Sequence, residues 1–101
     1  MKNSVCSLHA TMELIGGKWK PLLLFHLLEG PQRSGVLQRM VPEISNKMFT
    51  QTMRELEHDQ LLTRTVHAAV PPQVDYDLTT LGKSLAPILR DLDQWGKQFI
   101  S

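Results

Sequence analysis

The 101-residue chain is short of most things that announce a chemistry. It has one cysteine, Cys6, so an intramolecular disulfide is excluded and a reducing, cytoplasmic setting is expected. Its formal net charge is only +1, so composition alone does not mark it for nucleic acid; any such role depends on where the charges sit. The longest unbroken apolar run, Leu22 to Phe25, is far too short to span a bilayer. The N-terminus has no long apolar segment with a clear cleavage site, so no signal peptide is expected. No repeat or low-complexity tract appears. His9, His26, His58 and His67 show no metal-ligand spacing, and Cys6-x-x-His9 is half a site at best, so neither metal nor cofactor is expected. Asp75 and Asp77 share the outer face of a strand without a His, Ser or Lys constellation beside them in sequence, which argues against an enzyme.

What is present is ordered along one small domain, residues 1–101. Residues 1–5 read as a tail. A short helix is expected over Ser7 to Ile15, ended by Gly16-Gly17. The stretch Lys18 to Glu29 is a second helix. Pro21 is tolerated only in its first turn, and Leu22 to Phe25 with Leu27 and Leu28 wrap most of its circumference, as in a central buried helix that also carries His26 as a core residue. Gly30-Pro31 stops it, and Gln32-Arg33 can form a very short strand. Ser34 can cap a third helix, Gly35 to Met40, with Val36, Leu37 and Met40 inward, before Val41-Pro42-Glu43 breaks it.

Ser45 to His58, SNKMFTQTMRELEH, is the centre of the pattern. Ser45 suits a helix N-cap. Phe49, Met53 and Leu56 mark an apolar face, whereas Lys47, Thr50, Gln51 and Arg54 mark the opposite one, with Glu55 and Glu57 expected beside that stripe. Cations and an amide on one face can bond base edges in a major groove; the bland alternative is a solvated helix face. Two helices with a short break between them form a helix-turn-helix.

After His58 the period becomes two. Leu62, Arg64 and Val66 alternate with polar neighbours, as do Val74, Tyr76 and Leu78, and Ala68 to Gln73 form the tip between them. A hairpin over about 62–78 makes the fold mainly α with a small antiparallel hairpin: a winged helix-turn-helix. Thr79 can cap a last helix, Thr80 to about Ile100, kinked at Pro87. Its Leu81, Leu85, Ile88, Leu92, Trp95 and Phe99 form a heptad seam, broadened by Leu89, that exceeds what so small a domain needs. The expectation is packing against a twin, with Leu8 of the first helix taking part; the alternative is folding back on its own core.

These residues resemble the HxlR-type winged helix-turn-helix regulators. The matching text is Cys6, then IGGKWKPLLLFHLLEGPQR at 15–33, P-x-I-S-x-K-M at 42–48, LEHDQLLTR at 56–64 and VPPQVDYDLTTLG at 70–82, spanning Cys6 to about Trp95. The resemblance implies a homodimeric, DNA-binding transcriptional regulator on an inverted-repeat site, with terminal helices forming the dimer. With the hairpin, it favours base or phosphate contact for Lys47, Thr50, Gln51 and Arg54; Ser45 and Asn46 can bond phosphates because the N–H groups at a helix start favour anions, Arg33 and Ser34 are weaker candidates, and Lys18 and Lys20 are either weaker candidates or surface cations that solubilise the chain. Some members of that family sense electrophiles or oxidants through a cysteine at the Cys6 position; the other reading of Cys6 is a small buried apolar residue. An inducer of that kind, or a small molecule, would then be a further partner. Three departures stand out: Ser7 in place of proline, Gln60 in place of a glycine that suits positive φ, and Gln73 in place of a wing arginine. With no Lys or Arg between Arg64 and Lys83, the wing should grip DNA weakly. A different class of function also fits: a winged-helix interaction module that dimerises or docks on another regulator without touching DNA.

Overall fold

The computed structural model describes residues 6–100, so the expected tail at 1–5 lies outside the described residues. The chain runs α1 (Ser7–Ile15), α2 (Lys20–His26), β1 (Gln32–Arg33), α3 (Ser34–Met40), α4 (Asn46–His58), β2 (Leu62–His67), β3 (Gln73–Leu78), α5 (Thr80–Lys83) and α6 (Ala86–Gly96), then a 3-10 turn at Lys97–Phe99. Among the described residues no helix is long and apolar enough to cross a membrane.

Pro21 sits in the first turn of α2, where its missing N–H breaks no helical bond. Leu23, Leu24 and Leu27 are buried, but Leu22 is half-exposed and His26 half-buried, its ring edge-on to Phe25. The apolar wrap of α2 is therefore narrower than its sequence implies. Likewise Met40, at the end of α3, is turned outward, leaving Leu37 as that helix's buried residue. Arg33, rather than Ser34, stands at the cap position of α3, and it makes no side-chain cap bond.

Between α3 and α4 the chain turns within a few residues. The Ile44 N–H donates to the Val41 carbonyl at 3.1 Å, and both side chains are buried, pinning the turn to the core. The Ser45 hydroxyl then accepts from the Met48 N–H at 3.1 Å and starts α4. Phe49, Met53 and Leu56 drop into the core with Leu23, Leu24, Leu27 and Leu37.

The sheet has three antiparallel strands in the order β1-β3-β2, so the short Gln32-Arg33 strand joins the wing. Arg64 and Gln32 both lie opposite Tyr76 in register, and Tyr76 packs edge-on to Phe49 with ring centroids 6.3 Å apart. On β2 only Leu62 is buried; Val66, on the same side of the strand, is exposed.

The turn after α4 is tied to the start of the last helical segment. Gln60 has φ of 63°, the left-handed region. Its carbonyl accepts from the Thr79 hydroxyl at 2.7 Å, the Leu61 carbonyl accepts from the Thr79 N–H at 3.1 Å, and the Thr79 Oγ1 accepts from the Gly82 N–H at 3.0 Å. Gly82 lies so close that a Cβ there would stand 2.1 Å from the Leu61 carbonyl oxygen.

The expected single helix from Thr80 to about Ile100 is in fact broken. α5 ends at Lys83, the chain passes through Ser84 and Leu85, and Pro87 opens α6 instead of kinking a continuous helix. A proline lacks the N–H that helix continuity requires, so a fresh helical start accommodates it more easily. The seam also divides. Leu89 is buried and Leu85 is partly buried against the chain's own core. Ile88, Leu92, Trp95 and Phe99 remain exposed, as does Leu8 on α1.

Two substitutions check this clasp by denaturant unfolding. Gln60→Gly removes a side chain from a left-handed position and is expected to raise stability by about 1 kcal/mol. Gly82→Ala drives a Cβ into the Leu61 carbonyl and is expected to lower it by about 2 kcal/mol or more.

Candidate nucleic-acid interface

The outward face of α4 carries the polar set that its sequence spacing implies. Lys47, Thr50, Gln51 and Arg54 are all exposed, and with Asn46, His58 and Lys20 they line an open concavity of about 820 Å³. Ser45 is held at the cap, while the Asn46 side-chain oxygen accepts from the Gln38 amide of α3, linking the two helices of the motif. Four α4 N–H groups at its start have no helical partner, and only one is satisfied by Ser45, so this end of the helix favours an anion.

The face is not free of carboxylate. Glu55 lines the same concavity, where sequence spacing puts it beside the stripe. It lies one helical turn beyond Gln51, whose Nε2 donates to its Oε2 at 3.2 Å. Its other oxygen meets Lys20 Nζ of α2 at 3.0 Å. The Lys20 ammonium, followed by the Gln51 amide, holds the Glu55 carboxyl below the usual carboxylate range. Lys20 was among the weaker candidates; its side chain is only 16% exposed and serves first as an anchor for Glu55. The signal for Glu55 was the four-residue spacing from Gln51, but the Lys20 partner comes from another helix and has no sequence signature.

The peripheral candidates are differently placed. Arg33 Nε lies 3.9 Å from Asp75 across the β1–β3 pair, and His67 Nε2 lies 2.9 Å from the same carboxylate. Arg33 is thus turned toward its own sheet, and Ser34 is half-buried in the first turn of α3. The carboxylate that sequence left without neighbours acquires two, because strand pairing brings β1 and β2 to either side of β3. Arg64, at the base of the wing, faces Glu57 at 3.6 Å. Lys18 lies over the Trp19 ring, 4.6 Å from its centroid.

Cys6 is exposed in the single chain. It caps α1, its Sγ accepting from the His9 N–H at 3.3 Å, while the His9 ring turns to Glu13 at 3.2 Å. A second surface gathers on the terminal helices. Leu8, Met12 and Leu14 of α1, and Ile88, Leu92, Trp95 and Phe99 of the C-terminal segment, are each between 46% and 69% exposed, with the Trp95 and Phe99 rings 4.9 Å apart.

A short turn between α3 and α4, a polar outer face on the second helix and a hairpin packed behind it define a winged helix-turn-helix transcriptional regulator. The chain belongs to the HxlR-like helix-turn-helix family, whose model matches residues 14–101. It is 50% identical over 96 residues to the HTH-type transcriptional regulator YkvN of Bacillus subtilis strain 168, covering 95% of this chain and 81% of that protein. Its structure resembles that of the HTH-type regulator YtcD, with TM-score 0.87, 46% identity and coverage of 95% and 98% of the two chains. It likewise resembles the redox regulator HypR in its oxidised form, with TM-score 0.87, 40% identity and coverage of 92% and 96%.

The Glu55 contacts have a measurable consequence. A carboxyl whose folded pKa is depressed stabilises the fold above its unfolded value, and that contribution is lost as pH falls through the folded pKa. Carboxyl chemical shifts followed by NMR should place the Glu55 midpoint below that of an ordinary glutamate, and Lys20→Met should move it upward. An unshifted midpoint in both proteins would remove the Lys20–Glu55 pair.

Proposed function

We propose that this protein is a homodimeric, cytoplasmic regulator that binds an inverted-repeat DNA site through α4. One observation carries the reading: Phe49, Met53 and Leu56 are buried while Lys47, Thr50, Gln51 and Arg54 all face outward. Arginine and lysine match guanine acceptors, glutamine can pair with adenine, and threonine can meet a thymine methyl or a phosphate. Ser45 and Asn46 stand where the helix start attracts a phosphate. Arg33 and Ser34 are secondary contacts, since Arg33 must leave Asp75 to reach the DNA. The wing, with Arg64 paired and no further cation before Lys83, adds little grip.

The dimer is supported by the number of large apolar side chains left exposed on α1 and on the C-terminal segment, where the Trp95 and Phe99 rings also lie side by side. In such a dimer Leu8, Ile88, Leu92, Trp95 and Phe99 pack against the twin, and the two α4 helices enter successive major grooves roughly 34 Å apart. An oxidant or electrophile that reacts at the exposed Cys6 would act next to this interface, changing the spacing of the recognition helices. The likeness to a redox regulator supports that role.

Gel shifts against DNA flanking the protein's own gene, at two salt concentrations, test the reading. Specific binding should weaken steeply with salt. The double substitution Gln51→Ala with Arg54→Ala should abolish specific binding and leave the dimer intact. Undiminished binding would refute α4 as the reading element, while salt-independent retention or none at all would favour a protein-interaction module. For the interface, Leu92→Glu with Trp95→Glu should yield monomers in sedimentation and reduce DNA affinity by at least tenfold, because two weakly held half-sites would then bind independently.

A further inference from the structure

We propose that Glu55 is a specificity-determining residue that orients the Gln51 amide so that α4 selects adenine over guanine at one position of its site. This deepens the DNA-binding reading and rests on it. The argument begins with the donor and acceptor inventory of the side chains. A carboxylate only accepts hydrogen bonds, and an amide has one accepting and one donating end. Facing Glu55 Oε2 at 3.2 Å, Gln51 must therefore turn its nitrogen inward. Its oxygen and its second N–H are left pointing into the concavity.

That arrangement has a base preference. Adenine offers an N6 donor beside an N7 acceptor, which match an amide oxygen and an N–H in that order. Guanine offers two acceptors, O6 and N7, so the fixed amide oxygen would meet O6 lone pair to lone pair. An unrestrained glutamine escapes this by rotating its amide half a turn and presenting hydrogens to guanine. Gln51 cannot do so without placing its oxygen against the Glu55 carboxylate.

The restraint works only if Glu55 itself is held. Lys20 supplies this from α2: its ammonium is 3.0 Å from Glu55 Oε1, and its side chain, 16% exposed, has little freedom to swing away. Lys20 also neutralises a carboxylate that would otherwise stand among DNA phosphates. Affinity and selectivity are therefore set against one another at this residue. Removing the carboxylate should favour phosphate approach and weaken base discrimination together, whereas a purely structural role would lower both.

Selection of binding sites from a randomised duplex library, followed by sequencing, reads this out. Gln51→Ala identifies the base position that Gln51 reads, by loss of preference there. At that position the wild-type protein is expected to favour adenine over guanine by on the order of tenfold or more. Glu55→Ala should bring the ratio close to one, keep preferences elsewhere, and raise affinity for non-cognate DNA. Glu55→Asp keeps the charge but falls short of Gln51, and should lose the adenine preference as well. If the wild type enriches a site and both Glu55 variants keep adenine over guanine unchanged, or if the wild type prefers guanine there, the proposal is overturned. If the wild type enriches no sequence at all, it is the DNA-binding reading that fails, and the proposal falls with it.

Discussion

The position of α4 depends on one constraint, the burial of its apolar side. Phe49, Met53 and Leu56 are nearly inaccessible and pack among the leucines of α2 and α3. Each such side chain contributes roughly 1.5–3 kcal/mol on burial. Together the three rival the whole net stability of a domain this size, about 5–15 kcal/mol. Solvent-exposed ion pairs such as Lys20–Glu55 contribute far less than such burial, because water screens them. Packing therefore decides which way the helix is turned, and the polar pairs decide only how its outer side chains are arranged. Ser45 at one end and the Gln60–Thr79 clasp at the other limit how far the helix can rotate.

Part of the protein's charge is paired internally. Lys20 faces Glu55, Arg64 faces Glu57 and Arg33 faces Asp75. Among the described residues, Lys18, Arg39, Lys47, Arg54, Lys83 and Arg90 make no such pair, and two of them, Lys47 and Arg54, lie on α4. A net charge of +1 is thus compatible with a DNA-facing surface, because two uncompensated cations sit on the outward face of α4.

Much of this was legible beforehand. The caps at Ser45 and Thr79, the apolar and polar stripes of α4 and the hairpin all follow from local chemistry: a hydroxyl before a helix, periods of 3.6 and 2, prolines at turns. The left-handed residue at Gln60, where the family resemblance calls for glycine, was legible too. The break at Ser84-Leu85 was not, because the heptad spacing continues through it as if the helix were whole. Met40 and Leu22 look inward by period alone, yet both are left substantially exposed.

What the sequence by itself determined, then, is the order of the elements and which face of each is apolar, since these depend on neighbours a few residues apart. Only the tertiary structure decided which charges meet. Lys20 and Glu55 are 35 positions apart, and Arg33 and Asp75 are 42 apart. No periodicity links them, because their proximity comes from helix packing and strand register. The division of the C-terminal leucines between the protomer's core and the exposed face was decided there as well, by where α6 restarts after Leu85.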